Sequence, residues 1–275
     1  LGIGGFITAA KPMALLRALA RRGVKDLTIF APPSSYDVDL LVGLGMVKTV
    51  STPYVGLEAV APIGPFFGRK ASEGAIEVLE VDLGLVLAQL KAKIQELPFM
   101  PVRGPVGTSI PDLNPTLKWI EDPFGGPPLL AAPPIHLDVV FLHAAQADVF
   151  GNVQHLGAQF ADILLAQAAD TVIVEVERIV PNEVIRRAPT ETTIPCEFVD
   201  MVVHAPFGAH PLSFEGFYRL DEEHLLQYVQ AARAALEGNE GPFRNYVETY
   251  IYGPTSHGRY LERIGMDRIF SLTVE

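Results

Sequence analysis

The stretch Leu97-Pro98-Phe99-Met100-Pro101-Val102-Arg103-Gly104-Pro105-Val106-Gly107-Thr108-Ser109-Ile110 concentrates residues suited to holding an anion. Pro98 and Pro101 fix φ and remove two backbone donors, which excludes a helix or a central strand. Gly104 and Gly107 allow tight turning and close approach of a ligand to the main chain. The N–H groups of Val106, Gly107 and Thr108 are then expected to be free to face an anion or a thioester oxygen. Arg103 adds a planar fork that matches a carboxylate or phosphate. The competing reading is an ordinary Pro/Gly surface loop whose arginine sits in solvent.

Other reactive residue types are present without a self-contained set. Seven histidines stand at 136, 143, 155, 204, 210, 224 and 257. No pair has the i, i+4 spacing of a helical zinc site, and Cys196 is the only cysteine. A metal site assembled from distant residues stays possible, but none is expected. His143, at the end of a buried strand, reads as a hydrogen-bonded core residue. Cys196 lacks an activating neighbour in sequence and reads as a small buried hydrophobe. Glu175 and Glu177 fall at the carboxyl end of a strand, where α/β sites usually form. With Arg178 beside them they suit either a functional role or a structural ion pair. Ser72-Glu73-Gly74 puts an acid at a flexible turn, read as solvated surface. There is no G-x-S-x-G elbow and no P-loop.

Composition bounds the possibilities. The formal net charge of -11 speaks against a nucleic-acid partner. Hydrophobic residues make up 49% of the 275, enough for a sizeable core. The single cysteine excludes an internal disulfide and fits a reducing, cytoplasmic setting. No apolar run approaches the ~20 residues of a membrane span, and no signal peptide is visible. The chain opens inside a strand pattern, so residues upstream of Leu1 are expected.

The elements that must position these residues alternate. Leu1-Gly2-Ile3 reads as a strand, Gly4-Gly5-Phe6 as a turn, Pro12 to Arg22 as a helix and Leu27 to Phe30 as a strand, a right-handed β-α-β unit. The Gly4-Gly5 turn lacks the full G-x-G-x-x-G spacing of a dinucleotide site. Helix is expected at 37–43, 84–96 and 160–169, and strand at 47–50, 76–81, 139–143 and 171–176. The region 111–134 is a Pro-rich insert with room for two short strands, at 117–120 and 129–132. Residues 221–264 are mostly helical, with Asp221 capping the first helix. The whole, 1–275, reads as one α/β domain: an open, mostly parallel, doubly wound sheet with flanking helices and a helical C-terminal region.

Several segments, in order, resemble one family. Gly4-Gly5-Phe6 followed by Lys11-Pro12-Met13-Ala14-Leu15 resembles the N-terminal signature of class I coenzyme A transferase A subunits, with Ala10 where the pattern has glycine. Leu97 to Thr108 is similar to the P-F-x-P-x-R-x-x-x-G-T run of glutaconate-type A subunits. Ala147-Asp148-Val149-Phe150-Gly151-Asn152, Val174 to Val180 and Ala209-His210-Pro211 resemble further segments of the same subunits.

The resemblance implies one half of a two-subunit enzyme. In such enzymes a glutamate in an S-E-N-G motif, carried by the B subunit, attacks an acyl-CoA and is converted to a glutamyl-CoA thioester. Ser72-Glu73-Gly74 lacks the Asn of that motif, so the catalytic glutamate is expected on a partner and no catalytic residue here. Substrate binding is expected at Gly4, Gly5, Phe6, Phe99, Arg103, Gly104, Val106, Gly107 and Thr108. No cofactor is expected beyond coenzyme A as substrate, with acyl-CoA and a carboxylic acid as ligands and a heterotetramer or larger assembly. Relatives of this fold hydrolyse, ring-open or decarboxylate CoA thioesters, and these motifs do not separate them. A ligand-sensing domain of a related fold is the non-enzymatic alternative, and the lack of a DNA-binding segment argues against it. The Pro-rich insert, with Trp119 and Phe124, suits either a cover over the site or a surface packed on the partner.

Overall fold

The computed structural model describes residues 1–58, 60–157 and 159–274. Its amino half runs β1 (Gly2–Ile3), α1 (Met13–Arg21), β2 (Leu27–Phe30), α2 (Tyr36–Gly43), β3 (Val47–Ser51), α3 (Pro65–Ser72) and β4 (Glu77–Val78). In α1 the residues Met13, Leu16 and Ala20 are buried at helical spacing, and Gly23 ends the segment at φ +67°. The strand expected at 76–81 shrinks to the two residues of β4, because it is an edge strand pairing only with β3.

The helix α4 (Leu83–Ile94) starts at Asp82, whose carboxylate accepts from the Leu85 N–H at 2.7 Å. It leads into β5 (Met100–Val102), α5 (Ile110–Leu113), β6 (Lys118–Ile120) and β7 (Leu129–Ala132). The insert therefore holds the two expected strands, and they join β5 in a small antiparallel sheet of order β5-β7-β6. Pro101 is accommodated because β5 is an edge of that sheet.

Next come β8 (Val140–Ala147), β9 (Val153–Gln154), α6 (Asp162–Ala168), β10 (Val172–Ile179), α7 (Asn182–Arg187) and β11 (Met201–His204). The C-terminal region is α8 (Glu222–Leu236), α9 (Gly241–Val247), a π-helical turn at Glu248–Tyr252, α10 (His257–Ile264) and α11 (Met266–Leu272). Asp221 caps α8 by accepting from the His224 N–H at 3.0 Å. The last helix, α11, lies beyond the helical stretch expected from sequence.

The main sheet has the order β11-β10-β8-β1-β2-β3-β4, all parallel, with β9 antiparallel on β8. From β1 the chain winds outward one way through β2, β3 and β4, then returns to β8 and winds the other way. The boundary between β1 and β8 is thus the switch point, where such sheets open a crevice at the carboxyl ends of their strands. One apolar core lies between the sheet, α1, α2 and α8, and a second lies against α4, α6 and the small sheet. No helix among the described residues is long and apolar enough to cross a membrane.

Candidate functional site at the switch point

β1 ends at Ile3, opposite Phe141, while β8 runs on through Leu142, His143 and Ala144. The chain leaves β1 by the turn Gly4-Gly5-Phe6. The Gly5 N–H donates to Asp162 Oδ1 at 2.9 Å, and Lys11 Nζ approaches the Gly5 carbonyl at 3.5 Å. A Cβ on Gly4 would stand 2.5 Å from Leu142 Cδ2 and collide with Asp162 Oδ1, which explains the need for glycine there. Lys11 is fully buried, 3.1 Å from Ser34 Oγ and 3.3 Å from Asp37 Oδ2. Burial lowers its pKa, and the carboxylates of Asp37 and Asp162 oppose that. Ala10 holds φ +55°, the left-handed region that favours glycine, the residue the family pattern carries there.

Beside the turn, β8 and β10 bring a buried charge cluster together. His143 and Glu175 are register partners, and His143 sits mid-strand rather than at the strand end expected from sequence. His143 Nδ1 lies 2.9 Å from Glu175 Oε1, and its Nε2 lies 3.0 Å from Glu177 Oε1. Burial lowers the pKa of His143, but the hydrogen bonds and charges of the two glutamates outweigh it and raise the value to about 9. At neutral pH the ring is an imidazolium held between two carboxylates.

The remaining oxygens are also occupied. Glu175 Oε2 accepts from the Leu15 N–H at 2.8 Å and so caps α1 from across the sheet. Glu177 accepts from the Tyr218 hydroxyl at 2.6 Å and from the Phe207 N–H at 2.7 Å. Burial would raise the pKa of Glu177, and His143, Tyr218 and Phe207 lower it. From sequence, Arg178 beside these acids suits either a functional role or a structural ion pair with them. Instead Arg178 stands over the Phe217 ring, 5.0 Å from its centroid. The His143 partner of Glu175 lies 32 residues away and is brought by the parallel register of β8 with β10, while the Tyr218 partner of Glu177 lies 41 residues away on the loop after β11; sequence spacing announces neither.

The loop that follows β5 differs from its expected form. The Val106 N–H donates to the Arg103 carbonyl at 3.0 Å and the Thr108 N–H to the Pro105 carbonyl at 3.1 Å. Two of the three expected free donors are thus spent on consecutive turns of the loop itself, and only Gly107, at φ +89°, lacks a partner for its N–H among the described residues. Arg103, Gly104, Val106 and Thr108 are exposed, as is Phe99. The Arg103 side chain makes no ion pair or hydrogen bond among the described residues. Gly104 packs toward the cap of α4: a Cβ there would stand 3.0 Å from Asp82 Oδ2.

Other singled-out residues fall into structural roles. Asp148 Oδ1 accepts from the N–H groups of Phe150 and Asn152 at 3.0 Å each, and its Oδ2 accepts from Asn182 at 2.7 Å. Burial would raise its pKa, but these bonds lower it. The A-D-x-x-G-N segment is therefore a locked turn. His210, buried, bonds Tyr260 and Asp221. Glu73 pairs with Arg69 on exposed α3, as solvated surface. Cys196 is exposed, contrary to the buried reading, because Pro195 starts a short 3-10 turn that faces outward. His136, Asp138 and Asp170 cluster at the amino ends of β8 and β10, on the far side from the switch point and exposed.

Residues 1–205 match the family model described as coenzyme A transferase. The chain is 35% identical over 263 residues to an uncharacterized protein of Archaeoglobus fulgidus, 95% of this chain but only 58% of that longer protein. It is 31% identical over 290 residues to the A subunit of glutaconate CoA-transferase from Acidaminococcus fermentans, covering 100% of this chain and 89% of that one. It is also 33% identical over 262 residues to the IpdA chain of the cholesterol ring-cleaving hydrolase of Mycobacterium tuberculosis, covering 92% and 88%. Among solved structures, it superposes on glutaconate coenzyme A-transferase from Acidaminococcus fermentans with a TM-score of 0.92 and 29% identity, over 100% of this chain and 90% of that chain. A variant of the decarboxylase AibA/AibB gives 0.77 and 30%, over 90% and 91%. The chain belongs to the coenzyme A transferase family.

Proposed function

We propose that this chain is the A subunit of a two-subunit enzyme that moves coenzyme A between an acyl-CoA and a carboxylic or dicarboxylic acid. The observation that carries the reading is the saturation of the acids around the switch point. Glu175, Glu177 and Asp162 each spend both oxygens on fixed partners, and the two glutamates are buried around His143. None is free to attack a thioester, so the carboxylate nucleophile comes from a B subunit, as in the two-subunit transferases this chain resembles. That glutamate attacks the thioester carbonyl, the C–S bond breaks, and an acyl-glutamyl anhydride and CoA thiolate form. The thiolate attacks the glutamyl carbonyl and releases the first acid. A second acid reverses both steps and leaves with the CoA.

This chain supplies binding in that scheme. Arg103 and the Gly104–Thr108 turns offer a guanidinium and the Gly107 N–H to a carboxylate, with Gly4, Gly5, Phe6 and Phe99 as further contacts. Trp119 and Phe124, 56% and 96% exposed, leave apolar surface on the insert for the substrate or the partner. The assembly is a cytoplasmic heterotetramer or larger and needs no cofactor.

The similarity to a decarboxylase and to one chain of a ring-cleaving hydrolase favours a second reading, hydrolysis, ring opening or decarboxylation of a CoA thioester. One assay separates them. The chain co-purified with its B subunit is given acyl-CoA with and without an acceptor acid, and free thiol and new thioester are followed together. Transfer predicts acid-dependent new thioester well above free thiol, and no activity from this chain alone. Free thiol without acid-dependent thioester, or transfer by the isolated chain, overturns the proposal.

A further inference from the structure

The ammonium of Lys11 joins the turn after β1 to the loop after β2 and the start of α2. Nζ lies 3.5 Å from the Gly5 carbonyl, 3.1 Å from Ser34 Oγ and 3.3 Å from Asp37 Oδ2. The Ser34 hydroxyl donates to the Pro32 carbonyl at 3.0 Å, which leaves its oxygen to accept from the lysine. Asp37 Oδ1 accepts from the Ser35 N–H at 2.7 Å, while its Oδ2 has no other partner among the described residues. Lys11, Ser34 and Asp37 are all fully buried. Each proton of the ammonium thus has an acceptor, around one point that a planar guanidinium does not match.

The turn that this lysine touches is strained. Ile7 sits at φ +48° and Ala10 at φ +55°. For a β-branched residue such as Ile7 the left-handed region is a true outlier, held only where the surroundings over-determine it. Here the turn is gripped at both ends. The Ile7 N–H donates to the Pro33 carbonyl at 2.7 Å, within the segment that Lys11 anchors through Ser34. At the other end Lys11 meets the Gly5 carbonyl while Asp162 takes the Gly5 N–H. One ammonium takes part in both grips. Stability alone does not account for it, because a buried ion pair costs desolvation and an uncharged pair of similar shape is commonly as stable.

We infer that Lys11 is a positioning residue, which holds the strained turn at residues 5–9 in the conformation in which the switch-point site works. Asp37 serves to fix the ammonium there rather than to stabilise the fold. The inference rests on the proposed reading that the chain handles acyl-CoA. Lys11 is buried beneath the turn, so it acts through Gly5, Phe6 and Ile7 and not on the substrate itself.

Lys11→Met alone strands the Asp37 carboxylate, so the test combines it with Asp37→Asn. That pair removes both charges and keeps an oxygen for the Ser35 N–H. The double variant, purified with its B subunit, should melt within a few degrees of the unaltered complex. Hydrogen exchange in the peptide covering residues 4–10 should be faster, because the bonded amides of Phe6, Ile7 and Ala9 open more often. A misplacement of about 1 Å costs up to roughly 100-fold in rate, so kcat should fall about 10- to 100-fold while KM moves less than about threefold. A pair that only stabilised the fold would shift the melting point and leave kcat of the folded complex alone. A double variant that fails to fold or melts far lower makes the pair structural and overturns the inference. Unchanged exchange at residues 4–10, or unchanged kcat, overturns it as well. If the unaltered complex releases free thiol but makes no new thioester, the transferase reading alone fails, and the same comparison of exchange and thiol release decides the role of Lys11. An unaltered complex that turns over no acyl-CoA overturns both.

Discussion

His143 and Glu175 face each other across adjacent parallel strands, Nδ1 to Oε1 at 2.9 Å, and both side chains are fully buried. Glu175 passes this order on by capping α1 through the Leu15 N–H, and Glu177 does the same for the segment at Phe207. A protonated His143 neutralises one of the two charges that would otherwise repel within the core.

The pH dependence of stability follows from that pair. His143 binds its proton with a pKa of about 9 in the fold, against roughly 6.5 in an unfolded chain. A raised folded value means the stabilisation is fully present below about pH 6.5 and is lost as pH rises through about 9. The difference corresponds to roughly 3 kcal/mol. The melting temperature should therefore fall between pH 7 and pH 10 more steeply than in His143→Gln. That variant should itself lose about 3–5 kcal/mol near neutrality, since it strands two buried carboxylates. Parallel melting profiles for the two proteins would remove His143 from this role.

The glycine turn gives a second prediction. Asp162→Ala leaves the Gly5 N–H unsatisfied in a buried position and should cost about 1–3 kcal/mol, whereas Asp162→Asn keeps an acceptor oxygen and should cost less. Gly4→Ala drives a Cβ against Leu142 and Asp162 and should cost about 1–3 kcal/mol by overpacking. Denaturant titration of the three variants checks the order, and an Asp162→Ala as stable as Asp162→Asn would exclude the hydrogen bond as the cause.

Ala10 carries a conformational cost that can be relieved. An L-residue in the left-handed region costs about 1–2 kcal/mol, offset in part by the greater freedom glycine brings to the unfolded chain, about 0.5–1 kcal/mol. Ala10→Gly should therefore raise stability by up to about 1 kcal/mol, while Gly23→Ala, at φ +67°, should lower it. A lower midpoint for Ala10→Gly would mean that the buried Ala10 methyl outweighs the backbone term.

What sequence conveyed depended on how local the cause was. The β1-α1-β2 unit, the stop at Gly23 and the Asp221 cap of α8 rest on neighbouring residues, and the structure has them where spacing put them. The short strand β4 was overestimated because Ile76 to Val81 alternates well, yet only one partner strand reaches it. The His143–Glu175–Glu177 cluster was legible only in part: a core histidine was expected, but its partners depend on the register of β8 with β10. Lys11 and Asp162 hold the two sides of one turn from positions 151 residues apart, and no local pattern joins them. At the β5 loop the residue types suggested three free donors, and consecutive turns consume two. The family resemblance recovered the order of the segments, whereas the occupancy of each carboxylate needed coordinates.

Arg103 provides the prediction that bears most directly on the candidate binding loop. It is exposed beside Gly104 and has no side-chain partner among the described residues, so its guanidinium is available to a ligand. A dicarboxylic acyl group or acid carries a distal carboxylate that this fork can grip in two hydrogen bonds. A charge-assisted contact contributes about 1.5–3 kcal/mol, so Arg103→Met should weaken dicarboxylic acids about 10- to 100-fold. Arg103→Lys keeps the charge and loses the fork, and should fall between. Monocarboxylic acids of the same length lack the distal charge and should change little. The measurement is KM for matched mono- and dicarboxylic acids with the reconstituted complex. An Arg103→Met variant with unchanged KM for both classes would return Arg103 to the role of an ordinary surface residue.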